Sequence, residues 1–114
     1  MAARANLLLD RGTTFSSDVF VTDTNGDAFD LTGYTAEAKM ALGYESTKTR
    51  VTLTTTINSD PTTGIITISL TADQTKVLEA PARYVYDVEI TKTSDSTVTR
   101  VIEGLITVSP DVTS

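Results

Sequence analysis

The chain has 114 residues, enough for one domain around a single buried core and too few for two. With 39% hydrophobic and 21% charged residues it is too apolar for the disordered class, and its formal charge of -6 repels phosphate backbones, so no nucleic-acid partner is expected. The absence of Cys and His removes disulfides, thiolate nucleophiles, the usual proton shuttle at neutral pH and the main zinc ligands, so no cofactor or metal is expected either.

One domain is expected over residues 1–114, opening with a short arm of about residues 1–6. The apolar run Leu7–Leu9 follows, far below what a membrane span or a signal-peptide core needs, so no membrane is expected and the chain reads as made in the cytoplasm. Gly12 allows a break before Phe15, Val19 and Val21, which share a parity, and two N-terminal strands are read here. Tyr34, Ala36, Ala38, Met40 and Leu42 then alternate with Thr35, Glu37 and Lys39, the signature of a strand covering a core on one side. The same period of two recurs in Val51, Leu53 and Ile57, in Ile66, Ile68 and Leu70, and in Tyr84, Tyr86, Val88 and Ile90. The last stretch, Val98 to Val108, is apolar on both parities with Gly104 inside it, which a bulge at Gly104 or burial on both faces would explain.

The joints carry turn chemistry: Asn25-Gly26, Asp60-Pro61 with Gly64, and Ser94-Asp95-Ser96. One segment departs from strand character, because Thr71-Ala72-Asp73-Gln74 has the form of a capping box and Val77-Leu78 follow before Pro81. The expectation is an all-β fold, an immunoglobulin-like β-sandwich of seven to eight antiparallel strands with one short helical turn near residues 72–79.

Chemistry is thin. Asp23-Thr24-Asn25-Gly26-Asp27 places oxygen side chains as a calcium loop begins, but the distal Glu is missing, residue 34 being Tyr, and a hairpin turn is the reading. Asp87, Glu89 and Glu103 could form an acid and base pair, yet they fall on the outward parity of their strands. No His activates any Ser or Thr, and no Ser-x-x-Lys spacing occurs, so the chain is not expected to be an enzyme. Lys48, Arg50, Lys92 and Arg100, near strand ends, could guard open sheet edges. Leu7, Leu8 and Leu9 form the segment best suited to exchange with, or dock on, a neighbouring chain, with insertion into their own sheet as the default. Tyr44, beside Gly43 in a loop, could fill a partner's pocket or stack on a sugar, or simply pack over one end of the fold.

The order of short motifs adds a family resemblance. Arg11-Gly12-Thr13-Thr14-Phe15 is followed by Asn25-Gly26-Asp27-Ala28-Phe29-Asp30-Leu31-Thr32-Gly33-Tyr34 and Gly64-Ile65-Ile66. Then come Ala82-Arg83-Tyr84-Val85-Tyr86-Asp87-Val88 and Glu103-Gly104-Leu105-Ile106-Thr107-Val108. From about Leu7 to Val112 this resembles the small immunoglobulin-like domains of tailed-phage virion proteins, including the N-terminal domain of the phage baseplate upper protein family. The resemblance implies a structural part of the virion without catalytic residues, whose partners are other virion proteins or copies of itself. Members of that family continue into receptor-facing parts, whereas this sequence stops at Ser114, and the expectation is an adaptor or cement subunit, with an adaptor of the tail, neck or baseplate as the leading reading. A capsid decoration protein is the alternative, and a carbohydrate-binding module aiding host attachment a second one.

Overall fold

Threonine and β-branched residues alternating with apolar ones make a chain that is cheap to extend and costly to coil, and strands dominate the result. The computed structural model describes residues 3–43 and 50–110. Along them run β1 (Ala3–Arg4), β2 (Leu7–Asp10), β3 (Phe15–Phe20), β4 (Tyr34–Ala41) and β5 (Val51–Ile57). After a 3-10 turn at Pro61–Thr63 come β6 (Ile65–Leu70), the helix α1 (Ala72–Lys76), β7 (Ala82–Lys92) and β8 (Val98–Ser109). The all-β class is as expected.

The strands are bonded in the order β1-β8-β7-β4-β5-β6-β3, with β2 following β1 along β8. β5 serves two neighbours in succession: Val51, Thr52 and Leu53 pair with β4, and Thr54 to Ile57 pair with β6. Past the last main-chain pair, the Thr55 hydroxyl donates to the Ala36 carbonyl at 2.9 Å and keeps β4 in touch with the departing strand. The result is one continuous path that curls over its core rather than two separately bonded sheets. A single cluster fills the inside, in which Val19, Leu53, Ile66 and Ile68 join Met40, Val88, Ile102 and Ile106.

Four details differ from the sequence reading. First, β1 and β2 lie parallel to β8, so the strands are not all antiparallel; the intervening chain acts as the long crossover that a parallel pair requires. Second, the expected arm is in part strand, since Ala3 and Arg4 are in register with Ile102 and Glu103. Third, the bulge sits at Val101, because β7 and β8 shift register between the pairs Val88–Ile102 and Glu89–Arg100. Gly104 stays in register and has another task. Fourth, the described residues hold two helical turns, and α1 ends at Lys76, with Val77 82% exposed and Leu78 buried in the core.

The turns follow their chemistry. Thr71 and Gln74 form the capping box reciprocally, with Gln74 N–H donating to Thr71 Oγ1 and Thr71 N–H to Gln74 Oε1. Asp60 caps the 3-10 turn, and Gly64 closes it at φ +70, where a Cβ would also stand 2.5 Å from the Val21 carbonyl oxygen. α1 is tied to the β2–β3 turn by the one fully buried polar side chain among the described residues, Thr75. Its hydroxyl accepts from Gly12 N–H at 3.0 Å and lies 2.8 Å from the Thr13 carbonyl as donor.

Replacing Thr75 by Val keeps the shape and strands those two main-chain groups. Thr75→Val is therefore expected to lower the unfolding free energy by about 1–3 kcal/mol, measured by urea denaturation. A loss within experimental error of zero would mean that water reaches the turn.

Candidate interaction edge

The N-terminal strand closes on β8 through a contact that needs glycine. Gly104 stands in register between Tyr86 on β7 and Ala5, which links β1 and β2. A Cβ on Gly104 would lie 2.8 Å from the Ala5 carbonyl carbon and closer still to its oxygen. Without one, the Tyr86 ring lies beside the glycine and its hydroxyl donates to the Ala5 carbonyl at 2.6 Å. In an uninterrupted parallel ladder that carbonyl would take the Leu105 N–H; here the Asn6 side chain supplies the substitute acceptor at 3.1 Å. The exchange leaves every partner satisfied, and no buried side-chain polar atom among the described residues lacks a hydrogen bond. Tyr86 is 2% exposed, and burial pushes its phenol up to about 12.

The outer face over these strands is a row of charge. Lys39, Asp87, Glu103 and Arg4 are cross-strand neighbours in succession over β4, β7, β8 and β1. Arg100 reaches Asp87 at 3.3 Å and Glu103 at 3.7 Å, Arg4 reaches Glu103 at 3.6 Å, and Lys39 pairs with Glu37 at 3.3 Å. All are substantially exposed, so each pair is worth about 0–1 kcal/mol. A shallow hollow of about 270 Å³ lies over the row, lined by Lys39, Arg50, Asp87 and Arg100 among others. Asp87 and Glu103 do face outward, as their parity required, and both are held by Arg100. A pair of carboxylates sharing a guanidinium this way is a surface network rather than an acid facing a base.

The other face of the problem is the end of the path. β3 pairs only with β6, so its second edge is open among the described residues. Val21 N–H bonds Gly64 O at 2.8 Å, which places the odd-numbered residues of β3 in hydrogen-bonded pairs with β6. The main-chain N–H and C=O groups of Ser16, Asp18 and Phe20 therefore point away from β6, to the open side. Across a cleft runs the N-terminal strand, whose Ala5 and Arg11 N–H groups bond β8, leaving the main chain of Asn6 and Leu8 turned from it. Two hollows mark the ends of the cleft. One, about 240 Å³, is lined by Leu7–Asp10 and Thr13–Ser17; the other, about 430 Å³, by Ala3, Val21, Phe29 and Val101 among others. Phe20 is 61% exposed on β3 and Leu8 79% exposed on β2.

The residues singled out from sequence fall unevenly on this surface. Leu7, Leu8 and Leu9 all lie in β2 and take the default, insertion into their own sheet beside β8; Leu9 is buried, Leu7 half-buried and only Leu8 is presented outside. Tyr44 and Lys48 lie outside the described residues. Lys92 and Arg100 belong to β7 and β8, interior strands of the path, and Arg50 Nη1 donates to Gly43 O at 3.2 Å, so these three expected guards do not lie on the edge that stands open. Tyr84 and Tyr86 are buried as their parity required, and Tyr34 is half-buried in an edge-to-face contact with Phe29, centroids 5.4 Å apart, so none of the three offers a flat ring to a sugar. Asp23 is spent on its own turn, its Oδ1 accepting from the N–H groups of Asn25 and Asp27, and no cluster of metal-binding side chains occurs among the described residues. The open edge of β3 was missed in the sequence, although Ser-Ser-Asp between Phe15 and Val19, with no Lys or Pro, was a hint of an unguarded edge. No family model matches the chain, and no curated protein is detectably similar to it.

Two outcomes follow from the contact at Gly104. The folded state holds the Tyr86 proton up to about 12 while an unfolded chain releases it near the ordinary 10, so stability is full below that value and falls as pH rises through the window between them. The loss amounts to about 3 kcal/mol. Tyr86→Phe should cost about 1–3 kcal/mol at neutral pH, by stranding the Ala5 carbonyl, and should flatten the alkaline decline in denaturation curves. Gly104→Ala should cost about 3 kcal/mol or more, because the intruding methyl meets backbone rather than a yielding side chain. Hydrogen exchange should then show Leu7–Asp10 losing protection first.

Proposed function

We propose that this chain is a non-catalytic structural module of a bacteriophage virion, an adaptor of the tail, neck or baseplate that holds other virion proteins by its sheet edges. The observation that carries the reading is the open edge of β3, flanked by the exposed Phe20 and Leu8. An exposed strand edge that is neither covered nor guarded by lysine is a template for pairing with another chain.

The motifs that resemble those of tailed-phage domains support the same reading, and their structural role is local. In Asp30-Leu31-Thr32-Gly33, the Thr32 hydroxyl and N–H both donate to Asp30 Oδ1, which holds that carboxyl below the usual range and fixes the turn before β4. An N-terminal strand running parallel to the last strand, and a strand that leaves one half of the path for the other, support an immunoglobulin-like sandwich as the finer description of the fold. On a symmetric particle such a module needs no single tight contact, because repetition multiplies weak ones.

Quantitative mass spectrometry of purified particles from the source phage tests the reading. The chain should be present at a small multiple of the rotational symmetry of the tail. A copy number on the scale of the shell would make it a capsid decoration protein instead, and absence from the particle would sink the virion role altogether.

A further inference from the structure

The carboxylates are scattered along the sequence, and the fold gathers them. Residues 15–33 and 54–79, which form β3, β6, α1 and their loops, hold seven carboxylates against the single cation Lys76, so this half carries the entire formal charge of -6. The remaining described residues are nearly balanced, seven cations against six anions. All seven carboxylates, from Asp18 to Glu79, are exposed. The open edge of β3 therefore lies in the acidic half, and the nearly charge-balanced half presents the mixed row around Arg100.

We propose that the free edge of β3 takes up an extended, lysine- or arginine-bearing segment of a partner protein as an added strand. The main chain supplies the bonds: the outward N–H and C=O groups of Ser16, Asp18 and Phe20 are the unpaired half of a ladder already formed on the other side with β6. The side chains on the outer face supply the pattern. Asp18 is exposed, and its Oδ1 accepts from Thr67 Oγ1 at 2.6 Å, which leans the carboxylate toward β6 and leaves its second oxygen without a hydrogen bond among the described residues. A cation on the incoming strand opposite Asp18 and an apolar or β-branched residue two positions away, opposite Phe20, match this surface. A second copy of the chain does not match it, since pairing β3 with β3 brings together two halves that each carry -6. The field of the acidic half also speeds and orients the encounter with a cationic segment, and it weakens with salt.

The inference rests on the interaction-module part of the proposed function and not on the place of the chain in a particle, so the two can fail separately. The probe is an acetylated, amidated peptide of alternating lysine and valine, added to the full chain while amide hydrogen exchange is followed residue by residue. The exchange of Ser16, Asp18 and Phe20 should slow at least about tenfold on saturation, while amides already bonded to β6 change little. A peptide of alternating glutamate and valine should have no effect. Ser16→Pro removes an outward N–H without touching the β6 ladder, and should abolish the protection. Asp18→Lys, which reverses the charge with the ladder intact, should weaken binding about tenfold or more at low salt and serves if the proline variant does not fold. Absence of binding, protection confined to other strands, or equal binding by Ser16→Pro would overturn the proposal. So would self-association of the chain through the same amides, which would make the occupant a second copy.

Discussion

Closure of the N-terminal strand over Gly104 is the constraint on which the rest of the arrangement depends. Three strands meet at that point, and a side chain on the middle one would collide with the main chain of the first. The absence of a Cβ lets Tyr86 reach across and take the Ala5 carbonyl, and the Asn6 side chain then repairs the ladder bond that Tyr86 has displaced. The interaction is local in space and remote in sequence, since its bonds join Ala5 to Tyr86 and Asn6 to Leu105. It fixes the N-terminal strand against β8 at the joint of β1 and β2, upstream of the turn at Gly12.

That turn decides which edge remains open. By committing β1 and β2 to β8, the fold withdraws the N-terminal segment from the only other strand it could cover, β3, although the two follow one another in sequence. Thr75 holds the turn from below and Arg11 Nε reaches the Leu78 carbonyl at 3.0 Å, so the divergence of β2 from β3 is anchored at the C-terminal end of α1. The edge of β3 is left in view as the direct consequence of a well-made contact elsewhere.

Electrostatics reinforce this asymmetry. The half built on β4, β7 and β8 neutralises its charges in a cross-strand row, in which Arg100 bridges two carboxylates and Arg4 completes the line. The half built on β3 and β6 has no such row among the described residues, and several of its carboxylates project from turns where they also serve the backbone, as Asp23, Asp30 and Asp60 do. A nearly charge-balanced face and an acidic face with an unfinished sheet are unequal surfaces.

Much of this was legible in the residues themselves. Period-two alternation located β4 to β7, the parity of Tyr84, Tyr86 and Val88 gave their inward face, and the reciprocal pattern of Thr71 and Gln74 gave α1, because side-chain direction and capping are set within a few residues. The strand pairing was not legible: whether Leu7–Leu9 lies beside β8 or β3, and with which direction, depends on contacts about a hundred residues apart in sequence. For the same reason a bulge at Gly104 and burial on both faces stayed open as readings, since its real neighbour, Ala5, is invisible to any local window. Net charge was a property of the composition, but its concentration on the half that bears the open edge was decided only when the tertiary structure brought Asp18, Asp30, Asp60 and Asp73 onto one side, because folding sorts residues by strand order and not by chain order.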